Sequence, residues 1–163
     1  MADLLAVPLK KSSDVDIVKP LKNIIQSTYN TGDNSEDHSD AIEELARLRV
    51  NAIWKVFEKS SLEVIYSYYD QLTSLATKVP PQELQIPFKW KDAFDRGSIF
   101  GGRMSLTVAS LAYERVCVLF NIAALQSALA AQQPLDTEDS LKLAAKLLQV
   151  YKRVFSFFKC QLI

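Results

Sequence analysis

Histidine, glycine and net charge are what this sequence has least of. His38 is the one histidine in 163 residues, and it stands in a polar, acidic stretch. That removes a His-Glu-x-x-His zinc helix and leaves little for a histidine-based triad. No Cys-x-x-Cys pair, phosphate loop or dinucleotide fingerprint is present either. Two cysteines, Cys117 and Cys160, are too few for a disulfide framework, and Cys117 lies in an apolar run that suits a buried thiol. Acidic and basic residues balance at 19 each. No global field therefore draws the chain to nucleic acid or to an anionic membrane. No uninterrupted apolar run nears the ~20 residues of a membrane-spanning helix. The start, Met1 to Leu5, lacks a charged segment followed by a long apolar one, so no secretion signal is expected. These absences predict an intracellular, soluble, non-catalytic chain with no metal and no cofactor.

Glycine is scarce but concentrated. Three of the four glycines, Gly97, Gly101 and Gly102, fall within six residues. They surround Ser98, Ile99 and Phe100, with Phe88, Trp90 and Phe94 before them and Tyr113 and Phe120 after. Glycine takes positive φ cheaply, so a tight, specified loop is expected here. Its spacing is not that of a phosphate loop, and no Gly-Lys-Ser/Thr follows. Phe100 reads either as an exposed loop-tip anchor or as a core plug. Exposure of Phe100, with Gly101 and Gly102 beside it, is the expectation carried forward. Asp92 and Asp95 resemble an acid–base pair but suit turns better, because carboxylates cap turns well.

The remaining pattern is mostly helical. Leu5 to Leu9 reads as a strand or extended arm. Lys19-Pro20 opens a helix with Leu21, Ile24, Ile25 and Tyr29 on one face, proline being favoured in a first turn. A second helix is expected from Asp40, with Asp40 and Glu43 as a capping box and Ile42, Leu45, Leu48 and Ala52 inward. Ser60 and Glu63 suggest another box, starting a helix that buries Leu62, Ile65, Tyr69, Leu72 and Leu75 and stops at Pro80-Pro81. Tyr66, Tyr68 and Tyr69 cannot all share its buried face. Ile86, Phe88 and Trp90 alternate with polar residues as in a half-buried strand, which Pro87 places at an edge or makes irregular at its start. Ser105 to Val108 returns as a second strand. A central, almost wholly apolar helix spans Ser110 to Gln132. Pro134 and Asp136 break it and cap a last helix beginning near Thr137. Glu138 and Lys142 stand i,i+4 on that helix, which suits a supporting ion pair or a polar rim around a partner.

Taken together these residues resemble the Bro-one domain family, most closely its Alix branch of endosomal-sorting adaptors. The matching pieces run in family order. They are Pro8 to Lys11, Val15-Asp16 with Lys19 to Leu21, and Tyr68 to Gln71. Next come Trp90 to Asp95 with Gly97-Ser98 and Phe100 to Gly102, then Ser110-Leu111, Tyr113-Glu114, Cys117 to Asn121 and Asp136 to Ala145. The resemblance covers residues 4–146, and 147–163 diverge through Tyr151, Phe155, Phe157 and Phe158.

The resemblance implies a mainly α fold, with antiparallel tetratricopeptide-like helices and a small N-terminal β-sheet. It implies that residues 1–163 are one incomplete Bro-one domain, a truncated form with weak or no binding of its own. The family recruits the amphipathic C-terminal helix of Snf-seven-type ESCRT-III subunits, by helix-in-groove docking in endosomal sorting and membrane remodelling. It works in the cytoplasm, peripherally associated with endosomes, and touches their membrane but not nucleic acid. Of its partner-contact positions, Glu138 and Lys142 are the two that fall in this sequence, and Phe100 matches its exposed loop aromatic. The alternatives are the non-catalytic N-terminal region of a Bro-one-bearing tyrosine phosphatase and a fragment without autonomous function.

Overall fold

The computed structural model describes residues 4–29, 38–53, 59–79, 84–95 and 104–161, with side chains for all but Tyr29 and 157–161. Five helices and a small antiparallel sheet follow one another. In chain order they are β1 (Lys11–Ser12), α1 (Val18–Tyr29), α2 (Ser39–Ile53), α3 (Lys59–Lys78), β2 (Pro87–Lys91), β3 (Ser105–Ala109), α4 (Leu111–Ala131) and α5 (Glu138–Gln161). Each helix packs on its sequence neighbour, α1 on α2, α2 on α3, α3 on α4 and α4 on α5, and β2 lies against α4. The tetratricopeptide-like expectation thus takes the form of a serial helical stack with the sheet closing one side.

Local chemistry sets the boundaries. Asp16 Oδ1 accepts from the backbone of Val18 at 2.9 Å and of Lys19 at 3.4 Å, capping α1. The first expected capping box does not form as read: α2 starts at Ser39, with Asp40 already in its first turn, and Glu43 pairs with Lys22 of α1 at 3.4 Å. The described part of α3 begins at Lys59. Ser110 caps α4, its hydroxyl accepting from Tyr113 N at 3.3 Å.

The sheet order is β1-β2-β3, so the strand starting at Pro87 is central and not an edge. Proline is tolerated there because it is the first residue of the strand. Phe88 and Trp90 point into the core, as the alternation predicts. Asp92 and Asp95 are turn residues: Asp92 accepts from Phe94 N at 2.8 Å, and Asp95 from Met104 N at 2.7 Å. The glycine loop, with Gly97, Phe100, Gly101 and Gly102, lies outside the described residues.

α4 is the central helix. By length and mean composition it is apolar enough to cross a membrane, although Glu114, Arg115, Asn121 and Gln126 interrupt its apolar run, and its surface is mostly buried inside the protein. Cys117 is buried and free on it. The arm before β1 forms no strand. It lies along α4, held by two side chains: Ser127 Oγ accepts from Val7 N at 2.8 Å, and Asn121 takes Lys10 at both ends. Its Oδ1 accepts from Lys10 N at 2.8 Å and its Nδ2 donates to Lys10 O at 2.9 Å.

A polar junction sits inside the apolar core. Glu114 of α4 is wholly buried. Its Oε1 accepts from Arg49 Nε of α2 and from Tyr68 OH of α3, both at 3.0 Å, and its Oε2 accepts from Trp90 Nε1 of β2 at 2.6 Å. Arg49 continues to Ser12 Oγ of β1 at 2.9 Å and lies 5.5 Å from the centre of the Phe88 ring. One carboxylate therefore ties three helices to the sheet. Burial pushes the Glu114 carboxyl up from its ordinary range, against the charge of Arg49 and the donors from Trp90 and Tyr68. Burial, then the neighbouring Glu114 charge, drives the Tyr68 hydroxyl well above the usual tyrosine value.

Candidate partner-binding surface

The surface proposed from sequence begins at the turn between α4 and α5. Thr137 and Ser140 cap α5 reciprocally: Ser140 N donates to Thr137 Oγ1 at 3.2 Å, and Thr137 N donates to Ser140 Oγ at 3.3 Å. The capping oxygen is thus that of Thr137 and not the carboxylate of Asp136. Glu138 and Asp139 occupy the first turn, where the helix dipole favours negative charge.

Glu138 and Lys142 then meet at 2.6 Å, and both side chains are mostly in solvent. Leu141 beside them is 49% exposed, and Ala145 is exposed one turn on. Residues 138, 141, 142 and 145 follow the i, i+3, i+4, i+7 spacing, so they form one stripe on the outer face of α5. Ala144, beside that stripe on the side toward α4, is buried. The stripe thus sets an ion pair beside an exposed leucine. Leu141 was missed by sequence reasoning. Leucine on a helix reads first as core, and nothing local marks this one as outward.

The far end of α5 is not bare. Phe155 packs edge-on against Phe120 of α4 at 5.6 Å between ring centres, and Tyr151 lies 4.7 Å from Phe155. Lys10 of the arm stands 5.2 Å from the Phe120 ring centre. Phe155 of the last helix thus finds a partner on α4, and Tyr151 packs on Phe155. The side chains of Phe157, Phe158 and Cys160, and the loop-tip role of Phe100, lie outside the described residues.

Among the described residues no cluster of three His, Cys, Asp or Glu side chains could hold a metal ion. Glu114 is engaged on both oxygens and closed to solvent, so no reactant reaches it. A cavity of about 490 Å3 opens between α1, α2 and the end of α3, lined mainly by carbon from residues such as Leu21, Ile25, Leu45, Leu75 and Val79.

Comparison with known proteins agrees with the architecture. The family model for the BRO1-like domain matches residues 4–162. Programmed cell death 6-interacting protein of Xenopus laevis is 47% identical over 163 residues, and that of Homo sapiens 47% over 164. Vacuolar protein-sorting protein bro-1 of Neurospora crassa is 35% identical over 159 residues, 96% of this chain and 15% of that protein. The chain covers 19% of the length of the first two, with 98% of its own length matched. In the solved complex of the ALIX BRO1 domain with CHMP4C, the matching chain superposes with a TM-score of 0.86 at 46% identity, covering 94% of this chain and 44% of that one. ALIX in complex with the SIVmac239 PYKEVTEDL late domain gives 0.88 at 45% identity, covering 99% of this chain and 24% of that one. The arm, the sheet, the buried carboxylate junction and the stacked helices therefore have a shared frame: the chain belongs to the BRO1-like domain family.

Proposed function

We propose that this chain is part of a non-catalytic adaptor of the ESCRT pathway, cytoplasmic and peripherally associated with endosomes. On this reading residues 1–163 are a portion of one BRO1-like domain, and the outer face of α5 contributes to docking the amphipathic C-terminal helix of an ESCRT-III subunit. The observation that carries it is the exposed stripe of Glu138, Leu141, Lys142 and Ala145, with its 2.6 Å ion pair. The likeness to the ALIX BRO1 domain solved with CHMP4C supports the class of partner. Because the chain spans less than half of that solved chain, these residues hold only part of the docking surface, and binding by them alone is weak or absent.

The test is a titration of isotopically labelled chain with a peptide of the CHMP4C C-terminal helix, followed by amide chemical shifts. Small fast-exchange shifts confined to α5 are expected, and Lys142→Glu and Leu141→Asp should abolish them without altering the rest of the spectrum. Micromolar binding by the chain as it stands would overturn the partial-surface reading. Shifts clustered on α1 and α2 would overturn the role of α5.

A further inference from the structure

Strand β3 is an open edge whose free peptide groups are identifiable. Ser13 N donates to Lys89 O at 3.0 Å, so Lys89 turns its backbone groups toward the β1 side. Its partner in register on β3 is Thr107. In an antiparallel ladder, opposed residues either exchange both hydrogen bonds or turn both sets away from each other. The N–H and C=O of Thr107 therefore point out of the sheet, as do those of Ser105 and Ala109 two residues to either side. Among the described residues no strand lies beyond β3 and no backbone group pairs with these three.

The solvent face of the same sheet is basic. Lys11 of β1 and Lys91 of β2 stand directly opposite in register, and Lys89 shares their face. Like charges directly opposite destabilise a sheet, yet no ion pair relieves these lysines among the described residues. Beside them on β3 the residues are small, Ser105 and Thr107, which leaves the space over the edge open. On the other face of the edge, Leu106 and Met104 are 58% and 72% exposed. Neighbouring strands lie about 4.8 Å apart, so a strand added to β3 runs about 10 Å from β2. Extended lysine and glutamate side chains span that gap above two small residues.

We infer that β3 takes up an extended acidic peptide as a fourth, antiparallel strand, with alternate acidic residues over Lys89 and Lys91 and the intervening apolar residues beside Leu106. This is strand addition at a sheet edge, in which main-chain bonds give affinity and alternate side chains give specificity. The lysines repel a second copy of the same edge, which is one way natural edges avoid self-pairing. An anionic lipid surface would neutralise the lysines but leave the peptide groups of Ser105, Thr107 and Ala109 unpaired, so the geometry favours a polypeptide. The site lies apart from the α5 stripe and does not depend on it.

The probe is a fluorescein-labelled, acetylated eight-residue peptide alternating glutamate and valine, read by anisotropy on the 163-residue chain. In the antiparallel arrangement the residues opposite Ser105, Thr107 and Ala109 share the lysine face and donate to β3, so they are the glutamates. N-methylation of the glutamate nitrogens should weaken binding by about tenfold or more, a change of about 1.4 kcal/mol or more, whereas N-methylation of the valine nitrogens should spare it. Lys89→Glu with Lys91→Glu should weaken it similarly while leaving the circular dichroism unchanged. The methylated peptides leave the protein untouched, so their result does not depend on how any variant folds. Equal binding of both methylated peptides would overturn the proposal in favour of charge alone. Failure of the peptide to bind would also overturn it, and sedimentation of the chain with phosphatidylserine vesicles in that case would assign the basic face to lipid.

Discussion

Arg49 Nε and Glu114 Oε1 meet at 3.0 Å in the buried interior, joining helices α2 and α4 across 65 positions of sequence. Breaking a buried pair from one side leaves an uncompensated charge, which costs about 3–5 kcal/mol, while removing both ends together costs much less. Arg49→Met and Glu114→Gln are each expected to fall in that range. The double variant should be more stable than the sum of the two predicts. Urea unfolding of the four proteins measures the coupling, and strictly additive losses would mean that the two groups act independently.

Asn121 fastens the arm through both backbone groups of Lys10. Asn121→Ala leaves that amide and carbonyl without their partner, a loss of about 1–3 kcal/mol. Hydrogen exchange should accelerate at the Lys10 and Val7 amides ahead of those in α3. Unchanged protection at Lys10 would show that packing alone holds the arm.

Alkaline pH should destabilise the fold. Burial pushes the Cys117 thiol from 9.0 up to about 11 and holds Tyr68 well above 10.0. Between its two pKa values such an acid keeps its proton when folded and loses it when unfolded, so stability falls as pH rises through that window. The contribution is fully present below pH 9, declines for Cys117 between pH 9 and 11, and continues to decline above pH 10 through Tyr68. Chemical denaturation across pH 8–11 should show this slope, and Cys117→Ser should flatten its first part. A flat profile in the parent protein would contradict the burial of both groups.

The Glu138–Lys142 pair should matter little to folding. Both ends are exposed, and i,i+4 pairs of this kind contribute about 0.3–0.5 kcal/mol. Lys142→Ala should therefore leave the melting curve nearly unchanged, with the small loss greatest in low salt, where the pair is least screened. A shift of several degrees would place Lys142 in the architecture instead of on a rim.

Much of the architecture could be read from periodicity. The alternation of Ile86, Phe88 and Trp90, the wholly apolar stretch of α4 and the break at Pro134 each reflect a local rule, and each appears in the fold. The buried junction could not be read this way. Arg49 stands on the inward face of α2 with Ile42, Leu45 and Ala52, where the spacing calls for an apolar residue, and its partner Glu114 lies in the first turn of α4, where an acidic residue is expected for dipole reasons. Only the packing of α2, α3, α4 and β2 makes them neighbours. Glu43 illustrates the same limit: its spacing from Asp40 suits a capping box, but Lys22 on another helix competes for it. Leu141 was hidden for the opposite reason, since nothing local separates an outward leucine from a core one.

The fastening of the arm also orders events in time. Lys10 is held by a side chain 111 positions later, and Val7 by one 120 positions later. At about 5–20 residues per second on a ribosome, Val7 and Lys10 wait on the order of 10 s before the helix that holds them has been made. β1, which follows the arm directly, waits as well for β2. The arm is therefore synthesised well before α4 and fixed late, and contacts of such long sequence separation form slowly because loop closure precedes their reward. Any factor that meets the nascent chain finds Leu4 to Leu9 extended and unclaimed until α4 emerges.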